Sequence, residues 1–410
     1  MPIEIRHTKP DEGRAAADTF RAALLSPLST DADWANPVIA TSWAEQLSVS
    51  GWDGAQCVGH AGAFPLATVV PGGAVVPAAG VSRVGVRQTH TRRGVLTGLM
   101  QRLLRDSAEQ GKVFATLRAS EAVIYNRFGF AVANDTWSVE IDVRRPARVV
   151  APVATGSIRI LDRPETLATI MALHARIGLD RPGAVVRAEW MHQRYLADAL
   201  ELGKPTYVVV HSDVDGVDDG WAQYTVDWPD SFAQATGGQC EISELWGASP
   251  AVELALWQFI FGLDLVDRVR ALQRPTDDAV KFGLDNQRAY QSKQRDDEQW
   301  LRLIDVDAAL RARTYNPGAG AVTVAVSDPL FPANDGTWRI SADGAERVDT
   351  PADAAALTSG ISGISAAYLG GTAWHDLLVA GQVHEQRPGA VALADVLFAS
   401  RPLPRCGSFF

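Results

Sequence analysis

Val84-Gly85-Val86 leads into Arg87-Gln88-Thr89-His90-Thr91-Arg92-Arg93-Gly94, followed by a run with Val95, Leu99, Leu103 and Leu104 on one helical face. A strand feeding a basic, Gly-containing turn at a helix N-terminus offers free backbone N–H groups, a positive dipole end and two guanidiniums. These are the ingredients of a pyrophosphate site. Gly94 lets the main chain approach the oxygens closely. One helix and one strand later comes Ser120-Glu121-Ala122-Val123-Ile124-Tyr125-Asn126-Arg127-Phe128-Gly129-Phe130, which adds a phenol. Other candidates carry less. Asp213 to Gly220 lacks the ligand order and closing Glu of a calcium loop and reads as a hairpin turn. Gly360-Ile361-Ser362-Gly363 is no nucleophile elbow, and His384-Glu385 sits in no zinc-binding helix pattern. The eight His form no ligand cluster, and Cys57, Cys240 and Cys406 are too scattered for a disulfide framework. No metal is expected.

Elements that alternate along the chain must position these residues. Ile3 to Ile5 reads as a strand, Asp11 to Leu25 as a helix, and Ser26 to Pro37 as a polar loop. Cys57 to His60, Ala63 to Val70 and Ala78 to Val86 read as strands, Gly94 to Gln110 as a helix and Lys112 to Leu117 as a strand. Ser120 to Arg127 reads as a short helix and Phe130 to Val143 as a strand. Arg144 to Gly156 is a linker by its Pro and Arg content. Helices at Glu165 to Ile177 and Ala184 to Leu200 come next. Strands Tyr207 to His211, Trp221 to Val226 and Glu241 to Trp246 then precede an apolar helix, Ala251 to Phe261. This order echoes the first region without a residue-level repeat. The polar stretch Asp285 to Gln299 opens a third region. There Trp300 to Val306, Ala321 to Ser327 and Trp338 to Ile340 read as strands, and Ala352 to Thr358, Ile361 to Leu369 and Gly389 to Phe398 as helical.

The 410 residues exceed what one core organises, so two or three domains are expected. A formal charge of −10 has the wrong sign for a chain living on nucleic acid or anionic lipid. The charged first twenty residues leave no signal-peptide core, and no run of eighteen apolar residues spans a bilayer. A cytoplasmic location is expected, with secretion not excluded.

The strand, the basic turn and the Tyr-x-x-Phe-Gly-Phe-like segment together resemble the GNAT superfamily of acetyl-CoA-dependent N-acetyltransferases. Thr89 to Gly94, Ala119 to Tyr125, Trp300-Leu301-Arg302-Leu303-Ile304-Asp305-Val306, Tyr368-Leu369-Gly370-Gly371 and Phe410 look like one branch, the enhanced intracellular survival (Eis) family. The resemblance implies an α+β protein with an N-terminal GNAT domain (1–147), a central degenerate GNAT-like domain (148–290) and a C-terminal sterol-carrier-protein-like domain (291–410). It also implies a homo-hexamer, acetyl-CoA as co-substrate, and as acceptor a primary amine of a small molecule or lysine.

Residue roles come from the same resemblance. Val84, Gly85 and Val86 match the strand that pairs with pantetheine. Arg92, Arg93, Gly94, Val95, Leu96 and Thr97 match the phosphate loop, and Ser120 and Glu121 match further coenzyme contacts. Tyr125 is the implied proton donor to the coenzyme sulfur, and the main-chain carboxylate of Phe410 the implied base. An α-carboxyl of pKa about 3.5 is a weak base that burial would strengthen. Trp34, Trp43 and Trp52 stand where GNAT acceptor loops lie, and Asp31 and Asp33 are candidates to attract a cationic amine. Phe409 occupies the penultimate position that is acidic in aminoglycoside-acetylating members. The central domain shows no basic Gly turn after Glu241 to Trp246, so one active site per chain is expected. The competing class is a non-enzymatic ligand-binding or assembly protein with a vestigial GNAT domain.

Overall fold

Residues 3–144, 147–201, 206–228, 237–318 and 320–410 are described by a computed structural model. The chain divides into two units, residues 1–134 with 299–410, and residues 135–298. The first unit starts with β1 (Glu4–His7), α1 (Gly13–Ala23), α2 (Asp31–Ala35), α3 (Pro37–Ala44), β2 (Leu47–Asp53), β3 (Gln56–Val69), β4 (Val75–Val86), α4 (Val95–Glu109) and β5 (Phe114–Leu117). The strands lie in that order, antiparallel except for the parallel pair β4–β5. Leu99, Met100, Leu103 and Leu104 of α4 are fully buried against Val49, Ala61, Ala63, Ala79 and Val81. Each such side chain contributes roughly 1.5–3 kcal/mol by leaving water. The stretch expected to be a loop at Ser26 to Pro37 contains α2. Thr30 caps it by accepting from the Asp33 amide at 3.0 Å while Asp33 accepts from the Thr30 amide at 2.9 Å, a reciprocal cap that starts a helix locally. The short helix expected over Ser120 to Arg127 is instead two 3₁₀ turns, Ala122–Ile124 and Asn126–Phe128.

The decisive feature of this sheet is where β4 and β5 part. They pair only between Ala78–Gly80 and Phe114–Thr116. Beyond Gly80, β4 continues to Val86 on β3 alone. The register slips between His60 and Gly62, where Arg83 takes a left-handed φ of 54°. A bulge of this kind twists the strand and re-aims the residues beyond it, here Val84 to Val86.

Residues 135–298 are built on β6 (Ala131–Asp142), β7 (Ser157–Ile160), α5 (Arg163–Ile177), α6 (Glu189–Glu201), β8 (Thr206–Ser212), β9 (Asp218–Asp227), β10 (Gly238–Gly247), α7 (Pro250–Phe261), β11 (Val266–Pro275), α8 (Ala279–Gly283) and β12 (Tyr290–Leu303). The sheet runs β6-β11-β10-β9-β8-β7, with β10 parallel to β11. Of the expected linker, residues 145–146 lie outside the described residues. The polar stretch at Asp285 to Gln299 largely becomes strand β12. Its charges find partners on β6: Lys293 lies 3.5 Å from Glu140, Arg295 pairs with Asp135, and Ser138 donates to Asp296 at 3.2 Å. Cross-strand pairs of this sort stabilise a strand whose own composition argues against one. Helix α7 is closed at its start. The Ser249 side chain accepts from the Val252 amide, Pro250 opens the helix, and Glu253 in the first turn pairs with buried Arg274 at 2.9 Å.

The chain returns to the first unit as Trp300–Leu303 pairs antiparallel with β5. Then come α9 (Val306–Ala312), β13 (Val322–Ser327), β14 (Gly336–Ser341), β15 (Gly344–Val348), β16 (Leu357–Gly360), α10 (Ile361–Ala367), α11 (Trp374–Val379), β17 (Val383–Glu385) and α12 (Ala390–Phe398). The second sheet of this unit is β15-β14-β13-β16-β17. The helical piece expected at Ala352 to Thr358 is a single 3₁₀ turn, Ala352–Ala354, running into β16, whose β-branched and small residues pair parallel with β13.

Candidate active site

Where β4 leaves β5, a cavity of about 390 Å³ opens. Val84, Gly85 and Val86 line it from β4, Arg92, Gly94, Val95, Leu96 and Thr97 from the turn and start of α4, and Ser120, Glu121 and Tyr125 from the segment after β5. Every donor-site residue singled out in the sequence thus lines one cavity, Arg93 excepted, which is exposed beside it. Sequence reasoning passed over Ala23 and Leu24 at the end of α1, and Gln88, His90, Ile124 and Arg127. His90 and Arg127 lie inside the motifs already quoted, so their signal was present. The α1 contribution is a tertiary contact, made where Gln88 donates to Ala22 O at 2.7 Å.

The turn has the backbone of an anion site. Gly94 caps α4 at φ 79°, a left-handed value that costs a residue with a Cβ about 1–2 kcal/mol, and no side chain covers the first N–H groups. Arg92 also has a left-handed φ, 63°. The first turn of α4 holds no acidic residue. Open amides, a positive dipole end and a guanidinium therefore meet at one end of the cavity.

Tyr125 sits between the two 3₁₀ turns, its carbonyl accepting from the Phe128 amide at 3.0 Å and its ring edge-on to Phe130 at 6.0 Å. Burial, aided by the Glu121 charge, pushes its phenol up to about 12. It therefore stays protonated throughout the neutral range.

Phe410 does not line the cavity. It packs against β4 further back, where its carbonyl oxygen accepts from Ser82 Oγ at 3.1 Å. Its ring packs on Gly80, where a Cβ would stand 3.1 Å from Phe410 Cδ2. Arg118, directly after β5, donates from Nε to Ser408 O at 3.1 Å and lays its guanidinium 5.3 Å from the Phe409 ring. The Ser82 hydroxyl and the Arg118 guanidinium thus tie the tail to the two diverging strands. Phe410 is buried and Phe409 half exposed.

The expected acceptor residues divide. Trp34 and Trp43 form an aromatic run with His60 (centroids 5.9 and 5.3 Å apart), and Arg83 covers Trp43 at 4.2 Å while donating to Ser42 and Gln46. Trp52 is instead a buried residue with Arg6 over its ring. Asp31 and Asp33, expected to attract a cationic amine, already face guanidiniums, Arg14 at 2.7 Å and Arg21 at 3.5 Å. Asp33 is further held below the usual carboxylate range by its helix-capping bonds to Thr30.

His60 has a measurable consequence. Burial and the Arg83 cation push its imidazole down to about 3. In an unfolded chain it titrates near ~6.5, so between these values the unfolded state binds the extra proton and stability falls as pH drops. Acidification from pH 6.5 toward 4 is expected to cost a few kcal/mol at about 1.4 kcal/mol per unit. Thermal denaturation of His60→Leu against native protein at both pH values should show a flatter acid slope in the variant.

Among the described residues no group of His, Cys, Asp and Glu is arranged to hold a metal, and no helix is long and apolar enough to cross a membrane.

Known proteins share this architecture. Residues 4–133 and 183–311 each match an acetyltransferase (GNAT) domain, and residues 306–407 match a sterol carrier protein domain. An uncharacterized N-acetyltransferase of Streptomyces avermitilis is 37% identical over 363 residues, covering 87% of this chain and 88% of the relative. N-acetyltransferase Eis of Mycobacterium tuberculosis is 29% identical over 401 residues, covering 93% of this chain and 95% of its own. The crystal structure of Eis1 from Mycobacterium abscessus matches with a TM-score of 0.89 and 32% identity over all of both chains. The α+β fold is therefore an N-terminal GNAT domain, a second GNAT-like domain and a C-terminal sterol-carrier-like domain, and the non-enzymatic alternative falls away. With relatives of this extent and a GNAT domain around the cavity, the chain belongs to the Eis family of GNAT N-acetyltransferases.

Proposed function

We propose that the N-terminal domain transfers an acetyl group from acetyl-CoA to a primary amine of a small molecule or lysine, using the cavity at the parting of β4 and β5. One observation carries the reading: the strand edge at Val84–Val86, the open amides at Gly94 and the Tyr125 phenol all border a single cavity. The pantetheine arm takes the place of the missing strand beside β4, and the pyrophosphate meets Arg92 and the first turn of α4. The α7 N-terminus in residues 135–298 is covered by its own cap and Glu253, which supports one active site per chain and a degenerate second GNAT-like domain. The division at 147/148 and 290/291 belongs to this proposal, as do the homo-hexamer and the cytoplasmic location, whose support is the family alone.

The amine nitrogen attacks the thioester carbonyl carbon, forming the C–N bond, and collapse of the tetrahedral intermediate breaks the C–S bond. The phenol at about 12 is a weaker acid than a solvated thiol near ~8.5, so it acts first as a hydrogen-bond donor to the developing thiolate. Exclusion of water from the cavity raises the thiolate too, and the proton crosses late. The acceptor's ammonium must lose its proton before the free amine attacks; the Phe410 carboxylate, which does not border the cavity, takes that proton through a solvent relay, and solvent restores Tyr125. With Asp31 and Asp33 already matched by arginines and Phe409 in place of an acid, the acceptor carries little positive charge beyond its reacting amine.

Binding tests the donor half. Calorimetric titration with acetyl-CoA should give saturable binding, weakened about ten- to a hundredfold in Arg92→Glu, as expected for losing one charge-assisted contact. Equal affinity in the variant would remove the turn from the donor site.

A further inference from the structure

We propose that Arg302 is a positioning residue for Tyr125, holding the turn that carries the phenol from the sterol-carrier side of the same unit. Arg302 lies on β12, fully buried, and its Nε donates to the Phe128 carbonyl at 3.0 Å. Phe128 in turn donates its amide to the Tyr125 carbonyl at 3.0 Å. Two hydrogen bonds thus connect the guanidinium to the Tyr125 backbone. The other edge of the guanidinium is fixed by Asp328, which accepts from Nη2 at 2.8 and 3.0 Å and is itself buried. Asn334 donates to the same carboxylate at 2.8 Å and to Ile304 O at 2.9 Å. Phe331 covers the guanidinium face at 4.5 Å.

The geometry is that of a rigid anchor. A guanidinium whose Nη2 donates to both oxygens of one carboxylate, whose Nη1 donates to Leu303 O and whose Nε donates to Phe128 O, stacked on a ring, has little freedom. Gly129, next to Phe128, adds a reason for close docking. Its φ is 86°, and a Cβ there would stand 2.7 Å from Ile361 of α10. The turn bearing the phenol therefore closes against residues more than 170 positions later in sequence. The assignment gives the C-terminal domain a task in the chemistry that needs no ligand of its own: it fixes where the proton donor stands. A donor displaced by about 1 Å loses much of its effect.

This inference rests on the reading of Tyr125 as proton donor, and a double-mutant cycle separates the two. Thiol release from acetyl-CoA, with an amine acceptor the native protein turns over, is measured for native protein, Arg302→Lys, Tyr125→Phe and the double variant. Arg302→Lys is expected to lower kcat about tenfold with the KM for acetyl-CoA within about twofold, and to change nothing further in the Tyr125→Phe background. Arg313→Lys serves as control, because Arg313 is a buried arginine of the same unit that donates to Tyr368 O and to Phe398 O at 2.9 Å instead. Its effect should be the same factor in both backgrounds. Phe331→Leu, which loosens the guanidinium without removing it, should show the Arg302 pattern at about threefold and covers the case in which Arg302→Lys fails to fold. Equal factors for Arg302→Lys or Phe331→Leu in both backgrounds overturn the assignment of Arg302 alone. A Tyr125→Phe variant as fast as native overturns both readings.

Discussion

Tyr125→Phe should lower kcat with acetyl-CoA by about 10²–10⁴-fold, the range general-acid groups contribute, while the KM for acetyl-CoA stays within a few-fold. The ring remains to pack on Phe130, so only the hydroxyl is lost. An interaction made only as charge develops on sulfur belongs to the transition state, which is why the loss falls on kcat. The pH profile gives a second readout. A phenol at about 12 loses its proton only well above neutrality, so native kcat should show no alkaline fall attributable to Tyr125 below about pH 11. Steady-state thiol release from pH 7 to 10 checks this, and a basic limb near pH 9 that vanishes in Tyr125→Phe would contradict it.

Adding a single glycine after Phe410 should reduce kcat/KM by about a hundredfold or more, with an unchanged melting temperature for the first unit. The extension turns the proposed basic carboxylate into a neutral amide, removing a proton acceptor whose usual contribution is about 10²–10⁴-fold. The ring can still pack on Gly80 and the carbonyl can still accept from Ser82, so stability has little reason to change. A matched variant, Ser82→Ala, removes only the hydrogen bond to the Phe410 oxygen. It should cost about 0.5–1.5 kcal/mol of positioning, far less than the extension. Full activity in the extended protein would dissociate the carboxylate from the reaction.

The candidate donor site was legible because its parts are local. Gly94 caps a helix four residues before Gly98, Arg92 sits in the same turn, and Tyr125 comes one strand later. What hid was tertiary. Strand β12 reads as a polar stretch because its charged face is paired with Asp135, Ser138 and Glu140, which no window of sequence brings together. Arg302 reads as one more arginine in a strand until Phe128 and Asp328 meet its two edges. Asp31 and Asp33 show the opposite failure. The Thr30-x-x-Asp33 spacing that caps α2 stands in the sequence, within a stretch whose Pro, Ser and Asp content reads as a loop.

The pairing of Trp300–Leu303 along the second edge of β5 has a consequence for synthesis. A ribosome making about 5–20 residues per second needs on the order of ten to forty seconds to travel from Leu117 to Leu303. During that interval the N-terminal sheet presents an unmatched edge, and the anchor for the tyrosine turn does not yet exist. Nascent chains interrupted in that window should be inert and prone to cohere through that edge, so the enzyme's yield in a cell should respond more sharply to pauses in translation across residues 118–303 than to pauses before them.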